Sequence, residues 1–578
     1  MLEALYKYAV DGSLAARPGF KGKKIKYYIS LDVNGRFVSF EETEKNRIYE
    51  CPDLGSAAQS TSISNILVEK AGVVLDIPGE TSEKKHGFYM SSLKEAGEHD
   101  PLIALAAKSL EEQNEGIVEE LRKRKIKASE VIGIKVDGKP LESSTGYLEW
   151  WEEFRKRFKD KKGAKKQETS GLSRCFITGE LTEPVRTAPK FSGLISVGGH
   201  TSGDTVIGFD KDAFCSYGLA QAANAAVSEE AIVAVNAALE KLVKEGKTLA
   251  GAKYIHWFSE KVKTDVFDFL GLGSWGEASD ENSENEDDEA RVEKMFQSFF
   301  SGECPEDPKN RYYMIALSGA SGRVMVRSYE EGYYGELYEN LKAWYDDLSL
   351  GGRKYPKLWT VYTRLLKFSE NERKFSERIS KELSGLSVQI VNSIMHNSPL
   401  PDTVASRAVD YIRHDMYNSD DDAKKARKNI DTVSCQILKA WLNRKYRING
   451  KEELLIMDKL NKDSPSAAYQ TGRMLAVYAA LQNKALGDVN AGVAEKYFTS
   501  ACTSPQLVMG KLAALSQYHL SKLEGGGRYY KNMLNEIATK IGGSFPKTMT
   551  LEQQGEFALG YYHQNAEMYS SKTKTTEE

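Results

Sequence analysis

The residue types able to carry covalent or metal chemistry are scattered along this chain. Cys51, Cys175, Cys215, Cys304, Cys435 and Cys502 include no C-x-x-C pair, and the eight histidines include no H-E-x-x-H. Neither a zinc site nor a disulfide framework is therefore indicated, and reduced thiols are expected. The glycine-rich stretch Gly198–Gly208, GGHTSGDTVIG, has neither the G-K-[ST] of a phosphate-cradling loop nor the spacing of a dinucleotide fingerprint. His200, Thr201 and Ser202 are adjacent within it, but sequence neighbours seldom form a triad, and G-x-S-x-G is absent. No catalytic residue, metal or cofactor is expected; the glycines suit turns and close backbone approach to another subunit or to RNA.

Residues suited to non-covalent contact are better organised. Lys21, Lys23, Lys24, Lys26 and Arg36 interleave with Tyr27, Tyr28 and Phe37, a pattern suited to phosphate contacts with aromatic support. An edge strand kept soluble by lysines fits the same residues equally well. A second basic group, Arg122, Lys123, Arg124, Lys125 and Lys127, could line the same groove, although such runs also occur as solvated helix ends. The segment PDLGSAAQSTSISNIL offers Gln59, Ser60, Thr61, Ser62 and Asn65, amides and hydroxyls that can approach base edges or sugar-phosphate. A serine-rich helix start is the plainer reading of that segment.

Net charge is only -3, but the signs are separated. RKRFKDKKGAKK, residues 155–166, holds eight basic residues and one acidic, whereas EASDENSENEDDE, residues 277–289, holds eight acidic residues and no basic one. Local basic surfaces are thus compatible with a near-neutral total. The acidic stretch has no aromatic or β-branched residue to offset the entropy of ordering and reads as a disordered loop. A hydrophobic fraction of 41% and a charged fraction of 28% are those of a soluble globular protein. No apolar run reaches the roughly 18 residues of a membrane span, and MLEALYKYAV lacks a signal peptide's apolar stretch, so a cytoplasmic location is expected.

The elements that must position these residues follow from pattern. At 578 residues, two to four domains are expected. Ile25, Tyr27, Ile29 and Leu31 alternate with polar residues, and Asn34-Gly35 predicts a two-residue hairpin. Helical patterns cover 101–112 and 116–125, and a strand over 131–136 ends at Asp137-Gly138. A helix should start at Ser228, whose hydroxyl can cap the first-turn amides, and Ile232, Val235, Leu239, Leu242 and Val243 give it one apolar face. RYYMIALSGASGRVMVRSYEEG reads as two strands about a glycine turn, followed by an amphipathic helix. From about Tyr355 the pattern is helical, with Ser464-Pro465 a start, Gly487 a stop, Thr503 to Pro505 another start and Gly525-Gly526-Gly527 a break.

The most specific pattern runs through the middle of the chain. Cys175, Thr178 and Gly179, then Phe214, Ser216, Tyr217, Gly218, Gln221, Asn224 and Ala225, resemble the signature of the large subunit of the type I-C CRISPR surveillance complex, Cascade: Cys-x-x-Thr-Gly, a glycine-rich stretch, Phe-x-Ser-Tyr-Gly-x-x-Gln and Asn-Ala before a helix. Asp210 stands where an asparagine is usual and Ala226 where a proline is, which makes this a divergent member. The resemblance implies an α+β fold: an N-terminal mixed domain over 1–170, a central α/β region over 171–355, a helical region over 356–456 and, over 457–578, an all-helical bundle like a Cascade small subunit. It implies a non-catalytic subunit that reads the short motif beside the DNA target, the PAM, with help from Gln59 to Asn65. Strand separation, R-loop support and recruitment of a helicase-nuclease would follow. The implied partners are crRNA, double-stranded target DNA, the backbone and crRNA-end-capping subunits and a small subunit, with no membrane. A hydrolase or nuclease with an unrecognised site and a pure protein scaffold are the competing classes.

The same resemblance implies that the gene can supply its own small subunit from an internal start. Codons for Lys451-Glu452-Glu453 can be written AAG-GAG-GAG, which contains a ribosome-binding string, and three codons separate them from Met457. An ordinary solvated helix end is the other reading of those residues. In such a product Lys511, Lys522, Arg528 and Lys531, beside Tyr529 and Tyr530, would hold the displaced DNA strand by distributed charge.

Overall fold

The computed structural model of the chain describes residues 1–14, 17–44, 47–163, 172–185, 187–209, 211–214, 219, 221–268, 270, 304–353, 355–367, 375–417, 429–487 and 492–573. The acidic stretch 277–289, Ser216, Tyr217, Gly218 and the end of the basic run, 164–166, lie outside them. Contacts group the chain into two units. One comprises Met1–Gly193, His200–Lys241 and Ser321–Val324; the other comprises Leu194–Gly199, Leu242–Ala320 and Met325–Glu578.

The first unit opens with α1 (Leu2–Asp11) and β1 (Phe20–Lys23), followed by β2 (Tyr27–Leu31), β3 (Phe37–Glu42) and β4 (Tyr49–Pro52). After β5 (Glu69–Lys70) come α2 (Ala71–Val74), α3 (Glu83–Gly97) and α4 (Pro101–Lys123), then β6 (Val131–Val136), β7 (Lys139–Pro140) and α5 (Leu148–Gly163). The main sheet runs β3-β2-β6-β5, with β7 beside β6, while β1 pairs with β4 in a sheet of two. The β2–β6 pair is parallel, so the chain must cross over between them, and α2 to α4 make that crossover. Because β2 is central, Tyr28 and Ser30 are buried as well as Ile29 and Leu31, and the expected alternation disappears.

Two turn pairs behave differently. Asp137-Gly138 forms the two-residue hairpin, with φ of 51° and 72° and Val136 opposite Lys139, the mirror-image turn that such sequences favour. Asn34-Gly35 does not, contrary to the sequence expectation. Residues 32–36 form a wider loop in which Asp32 Oδ1 accepts from the amides of Asn34 at 2.9 Å and Arg36 at 2.8 Å, and pairing shifts by a bulge at Ser30/Leu31. The aspartate supplies the closing hydrogen bonds that strand pairing would otherwise make. The two expected helices at 101–112 and 116–125 are one helix, α4, because Gly116 is tolerated inside it. Asp100 caps it, accepting from Leu102 N at 3.0 Å.

Beyond α5 lie β8 (Ser173–Arg174) and β9 (Leu181–Thr182), which pair, and α6 (Glu229–Glu245). Ser228 caps α6 as expected, its Oγ accepting from Ala231 N at 3.1 Å.

Further along the chain, β10 (Lys247–Leu249), β11 (Ala252–Phe258), β12 (Arg311–Ala320) and β13 (Arg323–Tyr333), which from Met325 on belongs to the second unit, form one sheet in that order. Ser321 and Gly322, with φ of 52° and 83°, turn the chain between the last two. Helices follow: α7 (Tyr334–Leu348), α8 (Leu358–Arg364), α9 (Phe375–Glu382), α10 (Ser384–Met395), α11 (Asp402–Tyr417), α12 (Thr432–Ile448), α13 (Ala467–Leu486), α14 (Val493–Thr503), α15 (Pro505–Lys522), α16 (Arg528–Ile541) and α17 (Leu551–Thr573). The expected α+β class, helical towards the C-terminus, is what the structure has. Three of the four punctuation points coincide with helix ends, but α13 starts after Ser466, whose Oγ accepts from Tyr469 N at 3.1 Å, and not at Ser464-Pro465. The hydroxyl two residues further on is the one within reach of the first-turn amides.

Helix α12 is covered on nearly every side, as a helix at the centre of a core must be. Arg444 within it is 1% exposed. Its Nε donates to Asp347 at 2.9 Å, Nη1 donates to the Ser393 carbonyl at 2.6 Å, and the guanidinium lies 5.3 Å from the Trp344 ring centroid. The carboxylate, the carbonyl and the ring offset much of the cost of burying this cation, while its Nη2 is left without a hydrogen-bond partner.

Candidate nucleic-acid interface

Two of the hairpin cations lie beside carboxylates. Lys23 Nζ lies 4.0 Å from Asp53 and 3.5 Å from the Val68 carbonyl, and Lys26 Nζ is 2.7 Å from Glu130 and 5.5 Å from the Tyr27 ring centroid. Lys21, Lys24 and Arg36 are exposed. Lys21 sits on β1, opposite Cys51, and so belongs to the small sheet and not to the hairpin sheet. Tyr28 is core: its hydroxyl donates to the buried Glu142, and burial pushes both groups' pKa values up. Phe37 is half-buried against Phe40 at 5.5 Å. The aromatic support expected there is therefore mostly committed to packing. At the start of the Lys-rich run, Arg155 pairs with Glu229 and Arg157 with Glu95.

In the serine-rich segment, Gly55–Gln59 is a short 3₁₀ turn; the side chain of Gln59 lies outside the described ones. Ser60 Oγ accepts from Ile63 N at 3.0 Å, and Thr61 and Ser62 are exposed. Asn65 is 8% exposed, and its amide is used within the protein. Oδ1 accepts from Leu54 N at 2.9 Å and Nδ2 donates to Glu69 at 3.0 Å. The loop is tied to α3 by Lys85 Nζ, which donates to the Ala58 carbonyl at 3.0 Å. Asn65 thus closes the loop from below while Thr61 and Ser62 stand at its surface. Lys85 went unnoticed in the sequence because nothing in its neighbourhood signals a contact with residue 58.

The central motif folds back on itself. Between β8 and β9 the Cys175–Gly179 turn closes with Gly179 N donating to the Cys175 carbonyl at 2.8 Å, and Gly179 takes the left-handed φ of 76° that suits glycine. Phe176 N donates to the Ala226 carbonyl at 3.0 Å, and Val185 N to the Val227 carbonyl at 3.0 Å. Cys175 Sγ, fully buried, accepts from Ser228 N at 3.5 Å. Burial by itself would raise the thiol's pKa, but the Thr178 hydroxyl and the amides of Ser228, Thr178 and Ile177 outweigh it and bring it down to about 7. Asn224 Nδ2 donates to the Gln221 carbonyl at 2.9 Å, and Gln221 itself has a φ of 51°. Phe214 is 41% exposed and meets Phe209 edge-on at 6.3 Å. The two ends of the motif, Cys175 to Gly179 and Asn224 to Ser228, are therefore one clamp beneath the start of α6.

A family model described as CRISPR-associated protein (Cas_Csd1) matches residues 2–569. The chain belongs to this family. It is the family of Cascade large subunits to which the Cys175 to Asn224 pattern points. No curated protein matches the chain. In this Csd1-family chain the four C-terminal cations are all exposed: Lys511 and Lys522 on α15, Arg528 and Lys531 on α16. Lys511 Nζ lies 5.5 Å from the Tyr497 ring centroid, and no carboxylate pairs with any of the four among the described residues. Tyr529 is 59% exposed, whereas Tyr530 packs against the core. Among the described residues no three His, Cys, Asp or Glu side chains gather to hold a metal ion, and no helix is long and apolar enough to cross a membrane.

Proposed function

We propose that this chain is the non-catalytic large subunit of a crRNA-guided type I-C Cascade. In this reading it joins the crRNA-bearing backbone and the crRNA-end-capping subunit, reads the PAM in double-stranded DNA, helps part the strands, supports the R-loop and receives a helicase-nuclease. Base pairing then reads the target while protein reads a short duplex motif. The observation that carries the reading is the family match over residues 2–569. The Thr61-Ser62 surface supports it at one point, because exposed hydroxyls on a pinned loop can meet base edges or sugar-phosphate without a large ordering cost.

The internal start belongs to the same proposal. Met457 is 61% exposed, in the connection between the turn Glu452–Leu454 and α13, so a product beginning there would cut no helix.

The test is to express the chain with its neighbouring genes and a crRNA array, purify the assembly and measure binding to duplexes with and without the PAM. Thr61→Ala with Ser62→Ala should leave assembly intact and lower PAM discrimination about tenfold, the scale of a lost polar contact of roughly 1.4 kcal/mol. Asn65→Ala should instead lower folding stability by about 1–3 kcal/mol, since it strips partners from the half-buried Leu54 amide and Glu69. An assembly that binds no duplex at all would leave a protein scaffold as the function; one that cleaves DNA without a helicase-nuclease would make it an enzyme.

A further inference from the structure

The second basic group resolves into two sets. Lys123 Nζ is 3.0 Å from Glu119, and Arg124 Nε is 2.9 Å from Glu120 while its Nη1 donates to the Phe40 carbonyl at 2.6 Å. These are one-turn pairs along the surface of α4, a solvated helix end. Arg122, Lys125 and Lys127 have no such partner among the described residues, and all three line one open cavity of about 760 Å³. Its remaining walls are Glu80, Ile126, Ala128 and Ser129, so three cations face a single carboxylate.

The backbone holds these cations in place. Helix α4 ends in a Schellman arrangement: Ile126 N donates to the Leu121 carbonyl at 3.1 Å and Lys125 N to the Arg122 carbonyl at 3.0 Å. The left-handed position, normally glycine, is Lys125, with φ of 55°. Leu121 and Ile126 are buried in the same core. On the far lip, Gly72 N donates to the Ala128 carbonyl at 2.9 Å and Ala71 N to the Glu130 carbonyl at 2.8 Å, so the turn that follows Lys127 is tied to α2. A lysine thus stands where glycine would cost the fold less, beside two more cations that have no ion-pair partner among the described residues, in a chain whose net charge is -3.

We propose that this cavity is a polyanion seat for the phosphodiester backbone of a nucleic acid, with Arg122 as the forked donor to one phosphate and Lys125 and Lys127 as point charges on its neighbours. The proposal rests on the nucleic-acid reading above and adds a place to it. None of the hairpin cations lines the cavity, so this seat is separate from the Lys21 to Arg36 group.

The test uses the full chain and two probes, a short DNA duplex and a single-stranded RNA of guide length, titrated over a range of salt. Each phosphate contact contributes a slope of about 0.9 in log K against log salt on duplex and about 0.7 on a single strand. Arg122→Gln, Lys125→Gln and Lys127→Gln together should reduce the slope by between about 2 and 3 on whichever polymer occupies the seat, and that polymer identifies the source of the phosphates. Lys123→Gln, at a paired position, should leave the slope nearly unchanged. Lys125→Gly separates binding from folding: its melting temperature should not fall, because glycine relieves the left-handed position, yet the slope should drop by about one. If the wild type binds and the triple variant keeps its slope on both probes, the seat is disproved while the nucleic-acid function stands. If the triple variant keeps its slopes but no longer retains its protein partners, the cavity is a protein-docking site and the proposal is wrong. If the wild type binds neither polymer, the seat is disproved, and the nucleic-acid function is decided by duplex binding of the purified assembly.

Discussion

Cys175 illustrates what one residue does inside a family motif. In sequence it is a cysteine without a partner cysteine; in the fold its sulfur is the acceptor around which the turn at 175–179 and the cap of α6 are organised. A thiol brought down from the usual 9.0 to about 7 is, in linkage terms, a group whose folded pKa is depressed. Its contribution to stability is fully present above about pH 9 and is lost as pH falls through about 7. The thiolate should therefore add roughly 2 kcal/mol between those limits. Urea midpoints measured at pH 7 and pH 9 should rise with pH in the wild type, and in Cys175→Ser that increment should disappear. An equal pH response in both proteins would show that the sulfur stays protonated. Asn65 makes the complementary point, since its type suited a base contact but its burial commits it to the loop.

At the scale of elements, close helix crossings decide which glycines matter. Helices α13 and α17 approach so nearly that a Cβ on Gly472 would lie 1.9 Å from the Phe557 carbonyl oxygen, and one on Gly560 would lie 2.0 Å from that of Tyr469. Gly472→Ala should destabilise the bundle by about 3 kcal/mol or more, because backbone on both sides must move. Gly510, in the middle of α15, has nothing within 4 Å of its added Cβ. Gly510→Ala should stabilise by about 1 kcal/mol through helix propensity. Chemical denaturation followed by circular dichroism tests both, and similar effects at the two positions would refute the crossing argument. In sequence the two glycines are indistinguishable, each set among good helix formers. Helix ends were far more legible: Ser228, Gly487, Pro505 and the three glycines before Arg528 all mark boundaries, because capping is settled by residues within one turn.

For the whole molecule, the hydrophobic core of the second unit does not stop at Met457. It runs without a break from the β11 residues Ala252 and Tyr254, through α12, to Met568 on α17. Tyr446 donates to Glu556, and Leu442 packs within 3.3 Å of the Cβ position of Gly555. A product covering 457–578 would lack all of α12 and uncover that face of α17. Made alone, it should bind a hydrophobic dye and melt with low cooperativity, whereas the full chain, which keeps α12 and the residues that cover it, should melt cooperatively. Equal cooperativity of the two would mean that α17 repacks without α12.

The sequence by itself determined what depends on neighbours along the chain. The family was carried by the residues from Cys175 to Asn224, the helical character after Tyr355 by apolar period, and the element ends by caps and turns. Local signals also placed Asp137-Gly138 in a two-residue turn, but could not tell that Asn34-Gly35 would sit in a wider loop, because Asp32 and the bulge at Ser30/Leu31 act through the strand pairing. Only the tertiary structure decided that β2 is central and loses its alternation, that Asn65 is a loop staple, and that Lys123 and Arg124 are paired while Arg122, Lys125 and Lys127 share a cavity. Charge and amide type are properties of a residue, but whether they are still free to meet a ligand depends on which distant groups the fold has already brought within hydrogen-bonding range.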